Sequence, residues 1–285
     1  MNSINGNNLC IYHGNCADGF GAAWVVRNFY ASIGMPIDFH AGVYSEPPPD
    51  VTDKNIVLVD FSYKRPMLLA MAAKARSILI IDHHKTAAAD LINLPSNVET
   101  VFDMNYSGTM LTWMNFFPDT LAPKLIYHIE DRDLWRFNLP YTREIQAAVF
   151  SYPYDFNVWD QLMETPVDDL AQEGVAIERK HFKDIAELLP IVTRPMIIGG
   201  HKVQCANLPY IYSSDAGHEL SLTNPFGACY WDTPTGRVFS LRSTDTGVDV
   251  SAVAVSYGGG GHRNASGFKV SYAEAVLMEV PTDVS

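Results

Sequence analysis

The sequence predicts an α/β protein: a mostly parallel sheet in the N-terminal part, followed by a smaller α/β domain. Three observations carry this. Short apolar runs alternate with helical stretches as far as residue 102, the pattern of a parallel sheet crossed by helices. Three of the runs stop at aspartate or histidine. Beyond a long helical region, β-rich segments return after residue 190.

Taken in order, Leu9–Tyr12 is an apolar run that ends at His13, and Gly19–Phe29 has helical character. Residues 37–44 read as a strand closed by Pro47-Pro48-Pro49. Ile56–Val59 ends at Asp60, and Pro66–Ala75 reads as a helix with proline in its first turn. Ile78–Ile81 runs into Asp82-His83-His84, and Val98–Phe102 is a further strand. From Ser107 to Leu189 the pattern is helical and includes the amphipathic "DDLAQEGVAIERKHFKDIAELL". Proline and glycine punctuate "PIVTRPMIIGGHKV", after which Val203–Ala206, Ala228–Trp231 and Val238–Leu241 read as strands. The expected domains are residues 1–189 and 190–285.

With 47% hydrophobic and 18% charged residues, the 285-residue chain is globular rather than disordered. No run reaches the roughly 18 apolar residues of a membrane span, and "MNSINGNNLC" has no leader signature. Cys10, Cys16, Cys205 and Cys229 form no CxxC pair. A cytoplasmic protein with no membrane partner is expected; the oligomeric state stays open, a homodimer being one option. A net charge of −12 argues against gripping long duplex nucleic acid, which needs basic excess. A small anionic substrate remains compatible, because local cations override the global field.

In open α/β sheets, ligands bind beyond the carboxyl ends of the strands. Three strands would therefore deliver His13, Asp60 and Asp82-His83-His84 to one crevice. Asp18, at the start of the first helix, can join them, and Asp131 or Asp133 of "HIEDRDLWRF" can add another carboxylate. Several carboxylates tolerate one another when cations sit between them, and mixed imidazole and carboxylate ligands suit Mn, Zn or Fe better than Mg or Ca. In "SYGGGGHRNASGF", the backbone N–H groups of Gly258–Gly261 are expected to cradle an anion, with His262 and Arg263 on the same phosphate. Arg242 is a candidate second clamp. Tyr106 and Trp135 are the candidates for base stacking.

These segments together resemble the DHH phosphoesterases, across almost the whole chain. "HGNCADGFGAAW", "VLVDFS", "IDHHKT" and "EDRDLW" are similar to four successive family motifs, and "GGGGHRNASGF" is similar to the signature of the DHH-associated substrate domain. The wording is most similar to the NrnB-like oligoribonuclease or cyclic-nucleotide phosphodiesterase branch. The resemblance implies two divalent ions, commonly Mn2+ with Mg2+ as an alternative. It implies Asp60 as the bridging carboxylate, Asp18, His83 and Asp131 on one ion, and His13 on the other. His84 would sit beside the reacting phosphate and Asp82 would orient a neighbouring histidine. Gly259, Gly260, Gly261, His262, Arg263 and Arg242 would bind substrate. One position departs from the family: Cys16 stands where many members have the first aspartate of Asp-x-Asp-Gly. It is expected as a ligand or near-ligand, the alternative being a small buried hydrophobe. The expected activity is metal-dependent hydrolysis of short oligonucleotides, or related small phosphodiesters, to 5′-mononucleotides. A pyrophosphatase or exopolyphosphatase, or a non-catalytic nucleotide sensor, is the alternative.

Overall fold

A computed structural model describes residues 7–44 and 46–280; residues 1–6, where the leader signature was sought, lie outside it. The chain forms two compact units, Met1–Glu178 and Arg179–Ser285.

In the first unit the order is β1 (Asn8–His13), α1 (Ala17–Ser32), β2 (Asp38–Gly42), β3 (Asn55–Val59), α2 (Arg65–Ala72), β4 (Ser77–Asp82), α3 (Lys85–Asp90) and β5 (Val98–Phe102). The helices α4 (Gly108–Phe116), α5 (Lys124–Asp133), α6 (Thr142–Val149), α7 (Phe156–Glu164) and α8 (Val167–Val192) follow. The five strands form one parallel sheet in the order β2-β1-β3-β4-β5, as the alternation predicted.

Alternation of side chains within the apolar runs explains why they lack polar residues. Leu9, Ile11, Ile56, Leu58, Ile78 and Ile80 join one core, with Leu68 and Met71 of α2. Cys10, Val57, Val59 and Ile81 join another, with Ala22, Ala23 and Val26 of α1 and Leu111 of α4. A sheet covered on both faces needs strands apolar on both faces. A third core ties the helices together around the fully buried Trp159.

Register fixes the site. Val59 of β3 lies opposite Tyr12 of β1 and Ile81 of β4. The next residue along each strand is His13, Asp60 or Asp82, so three adjacent strands present them at one level of the carboxyl edge.

The expected domain boundary falls near the end of α8, whereas the compact units divide inside that helix. The second unit contains β6 (Thr193–Ile198), β7 (His201–Asn207), α9 (Ser213–Ser221), β8 (Gly227–Thr233), β9 (Gly236–Arg242), α10 (Val250–Ser256), β10 (Gly260–Gly261), β11 (Ala265–Val270) and α11 (Tyr272–Val276). Its sheet runs β10-β11-β9-β8-β7-β6, with only β7 and β8 parallel. The stretch read as punctuation is the β6–β7 hairpin. Gly199 (φ 58°) and Gly200 (φ 80°) form its turn, a left-handed pair that glycine adopts without a Cβ clash.

Candidate metal centre

Asp60 is the hub. It is 1% exposed and has φ of +52°, an uncommon conformation that aspartate tolerates better than most residues. This bend keeps its N–H bonded to the Ile81 carbonyl at 2.9 Å. One carboxylate oxygen, Oδ2, lies 3.3 Å from His13 Nδ1, and the other, Oδ1, lies 3.0 Å from His83 Nε2. The ligand atoms fall into two groups that share it: His13, Asp60 and His84, and Asp18, Asp60 and His83, with all atoms of each group within 4.8 Å of one another.

Asp18 is held from the far side. Gly108 N–H donates to its Oδ2 (2.6 Å) and Thr109 N–H to its Oδ1 (2.9 Å), so the first turn of α4 grips a carboxylate from the first turn of α1. Only glycine fits at 108: a Cβ there would lie 2.4 Å from Asp60 Cβ and 2.9 Å from Asp18 Oδ2. Ser107 caps this helix through its side chain.

Asp82 is fully buried and accepts four hydrogen bonds: from Ser62 Oγ (2.6 Å), His83 N–H (2.7 Å), His84 N–H (3.2 Å) and the His84 ring at Nδ1 (2.7 Å). It fixes the His84 ring and places Nδ1–H toward itself, which turns Nε2 the other way. Tyr44 and Phe61 wall the histidines, with Tyr44 edge-on to His13 at 5.2 Å.

The electrostatics are those of crowded carboxylates around imidazoles. Burial works to raise the Asp60 carboxyl, but hydrogen bonds and charge from His13 and His83 prevail and hold it well below the usual range. Burial also works against charging His13 and His83, yet their bonds to Asp60 hold both well above an ordinary imidazole. Asp18 is pushed well up, first by burial and then by the Asp133 and Asp60 charges. Asp133 is raised by burial, with His83 opposing. A divalent cation would relieve this repulsion, and the imidazole and carboxylate donors fit such an ion.

No family model matches the chain. Among solved structures it is similar to an exopolyphosphatase-related protein from Bacteroides fragilis, with TM-score 0.55 and 14% identity, over 95% of this chain and 89% of that one. It is also similar to RecJ from Thermus thermophilus, solved with Mn2+, with TM-score 0.54 and 12% identity, over 95% of this chain and 50% of that one. Uncharacterized protein R106 of Acanthamoeba polyphaga mimivirus is 32% identical over 295 residues, spanning 94% of this chain and 69% of that protein. The chain belongs to the R106 family and has the DHH phosphoesterase fold.

Neither aspartate of the "EDRDLW" segment falls in the ligand groups around Asp60, and the two meet different partners. Asp131 is held by donors of its own segment. Its carboxylate accepts from Asn138 N–H (2.8 Å), Leu139 N–H (3.0 Å) and Thr142 Oγ (2.6 Å), bracing a loop in which Trp135, Phe137 and Tyr141 all have positive φ. Asp133 instead lies 3.5 Å from His83 Nε2. Two residues on a helix are separated by about 200°, so only one of the pair can face the sheet edge. Cys16 precedes α1 as its N-cap. Burial, followed by the Asp60 charge, raises its thiol, and its proximity to His13 works the other way; it falls in neither three-residue group.

The glycine segment of the second unit is also built differently from the expected cradle. Gly258 and Gly259 donate their N–H groups to the Val255 and Ala254 carbonyls, both at 2.9 Å, which closes α10 around Gly258 at φ +79°. Gly260 and Gly261 pair with Gly267 and Ser266 as β10. His262 and Ala265 close the turn by exchanging backbone bonds. Arg263 reaches back to the carbonyls of Thr244 (3.4 Å) and Gly247 (3.0 Å). Arg242 donates to Ser214 Oγ (2.8 Å), Ser240 Oγ (3.0 Å) and the Leu241 carbonyl (2.9 Å). Sequence reading passed over Ser62, Gly108 and Thr109, although the serine-glycine pair opening a helix after β5 was a visible signal.

Proposed function

We propose that this protein is a metal-dependent phosphodiesterase that hydrolyses short oligonucleotides, or related small nucleotide phosphodiesters, to 5′-mononucleotides. The observation that carries the reading is the buried Asp60 carboxylate shared by the His13–His84 and Asp18–His83 groups. In this reading Asp18, His83 and Asp133 would hold one divalent ion, His13 would hold a second beside Cys16, and Asp60 would contribute to both. When bound, such ions polarise a phosphoryl oxygen and lower the pKa of an attacking water. The chain's own part is positional. Gly108 and Thr109 N–H groups fix Asp18, Ser62 and the 83–84 backbone fix Asp82, and Asp82 aims His84 at the reacting phosphate. Manganese is the first ion to test. In the second unit, Arg242, His262 and Arg263 are proposed to contact the substrate, with Gly259–Gly261 shaping the loop that carries His262 and Arg263.

Net charge −12 supports a substrate of few phosphates, since counterion release offers little on a longer strand. Four free thiols support a reducing, cytoplasmic setting; no helix among the described residues is long and apolar enough to cross a membrane. The test is a substrate panel assayed with Mn2+, Mg2+, Co2+ and Zn2+: dinucleotides, a cyclic dinucleotide, pyrophosphate and tripolyphosphate. Tripolyphosphate belongs there because one structural neighbour is described as exopolyphosphatase-related. Dinucleotide cleavage is the expected result, and turnover of polyphosphate alone would replace this reading with the second.

A further inference from the structure

A groove of about 250 Å³ opens between α4 and α5. Met110, Trp113 and Met114 line it from α4, Tyr127 and Glu130 from α5, and Tyr106 from the chain just before α4. These residues recur at three- and four-residue spacing, so each helix gives one face to the groove. The segment after α4 forms the third wall, tied down by Trp113 Nε1–H donating to the Thr120 carbonyl at 2.9 Å. Met114 is 42% exposed and Tyr127 40%, so apolar surface stands open to solvent.

The groove reaches the metal centre through one turn of chain. Ser107 N–H donates to Glu130 Oε2 at 3.2 Å, and the adjacent Gly108 abuts both Asp60 and Asp18. Tyr106 and Gly108 are two residues apart, at most about 7 Å of backbone. We propose that this groove is a nucleobase pocket, which takes the base of a nucleotide adjoining the phosphate held at the metal centre; the inference rests on the phosphodiesterase reading above.

Size and chemistry single out that occupant. The volume lies below the roughly 300 Å³ at which drug-sized ligand sites begin, leaving room for one flat ring system. Aromatic and thioether walls favour such a ring and offer nothing to inorganic polyphosphate. Glu130 is the one acidic residue lining the groove. Its carboxylate repels a phosphate but accepts from an N–H edge, and Arg136 holds it in place through Oε1 at 3.3 Å. A base stacked on Tyr127, with its polar edge toward Glu130, uses every feature of the groove.

Two variants test this. Tyr127→Ala removes a wall, and Ala122→Trp fills the groove from its loop side; unchanged thermal melting verifies folding. On an intact dinucleotide each should raise KM about tenfold, the size of one lost base–aromatic stack, with kcat within twofold. On dinucleotides made abasic at each position in turn, one position should give a parent KM already high and unchanged by either variant. A binding arm in excess chelator separates this inference from the activity: the four nucleoside 5′-monophosphates should bind the parent about tenfold more tightly than Tyr127→Ala, whether or not any substrate is cut. Glu130→Gln, which offers a donor as well as an acceptor, should reorder the four. Equal binding by parent and Tyr127→Ala would overturn the pocket even in an active enzyme. An inactive parent that still shows the binding difference would instead sink the phosphodiesterase reading and leave the pocket standing.

Discussion

Asp131 and Asp133 sit two residues apart and meet different partners. Asp131 is 4% exposed and satisfies three donors of its own unit. Its replacement by alanine should cost about 3 kcal/mol in urea unfolding, the scale of stranding buried donors that faced a charge. Asp133→Ala should leave the urea midpoint in chelator nearly unchanged and weaken Mn2+ binding by calorimetry instead. The pH dependence follows from the same cluster. In chelator, the raised His13 and His83 contribute stability below their unfolded value near 6.5 and lose it as pH rises through their folded values. The raised Asp18 acts in the same direction above its unfolded value near 3.8, while the lowered Asp60 loses its contribution only on strong acidification. Tm in chelator should therefore fall as pH rises above about 6.5, and the increment from Mn2+ should grow over the same interval because binding displaces protons. A flat Tm and a constant increment would contradict this. At this scale the sequence revealed the strand-end cluster, since three adjacent parallel strands that stop at His13, Asp60 and Asp82 bring those residues to one sheet edge. It did not reveal which of Asp131 and Asp133 faces the sheet, because that depends on the rotation of α5, which packing sets.

Among the elements, the parallel sheet was legible because buried strands are apolar on both faces and each is followed by a helical pattern. Of the β6–β7 hairpin, Val203–Ala206 was legible as a strand and β6 was not, although the Gly199-Gly200 pair is a strong turn signal; the stretch holding Pro195 read as punctuation. Proline is tolerated there because β6 is an edge of its sheet. The four-glycine run was legible as a special backbone, but its part in ending α10 was not. Glycine serves there to end α10 and to let β10 approach β11 closely. A Cβ at Gly259 would lie 2.1 Å from the Gly267 carbonyl oxygen and 2.7 Å from Phe268 Cβ. Gly259→Ala should therefore destabilise the protein by more than about 2 kcal/mol. At Gly258 the space is open and only the left-handed φ opposes a side chain, so Gly258→Ala should cost about 1–2 kcal/mol. Thermal or urea unfolding distinguishes the two, and an equal cost would place the constraint in the backbone angle alone.

For the whole molecule, the acidic balance and the cationic demand of the metal centre pull in opposite directions. A chain of net charge −12 repels a long polyanion, while the few phosphates of a short substrate would meet divalent ions in the proposed centre. The kcat/KM on single strands should therefore fall with length beyond roughly five nucleotides, and raising NaCl from 50 to 200 mM should change dinucleotide kcat/KM by less than about threefold, far below the salt slope of a protein that grips many phosphates. Asp60 is proposed to join two metal positions into one hydrolytic centre. This is tested most directly by Mn2+ titration calorimetry of the parent and Asp60→Asn, with dinucleotide hydrolysis measured on the same samples. Two ions per chain in the parent, fewer and weaker ions in the variant, and a loss of several orders of magnitude in kcat with folding intact are the predicted results. Undiminished hydrolysis in excess chelator, or Asp60→Asn binding two ions as tightly as the parent, would contradict the account.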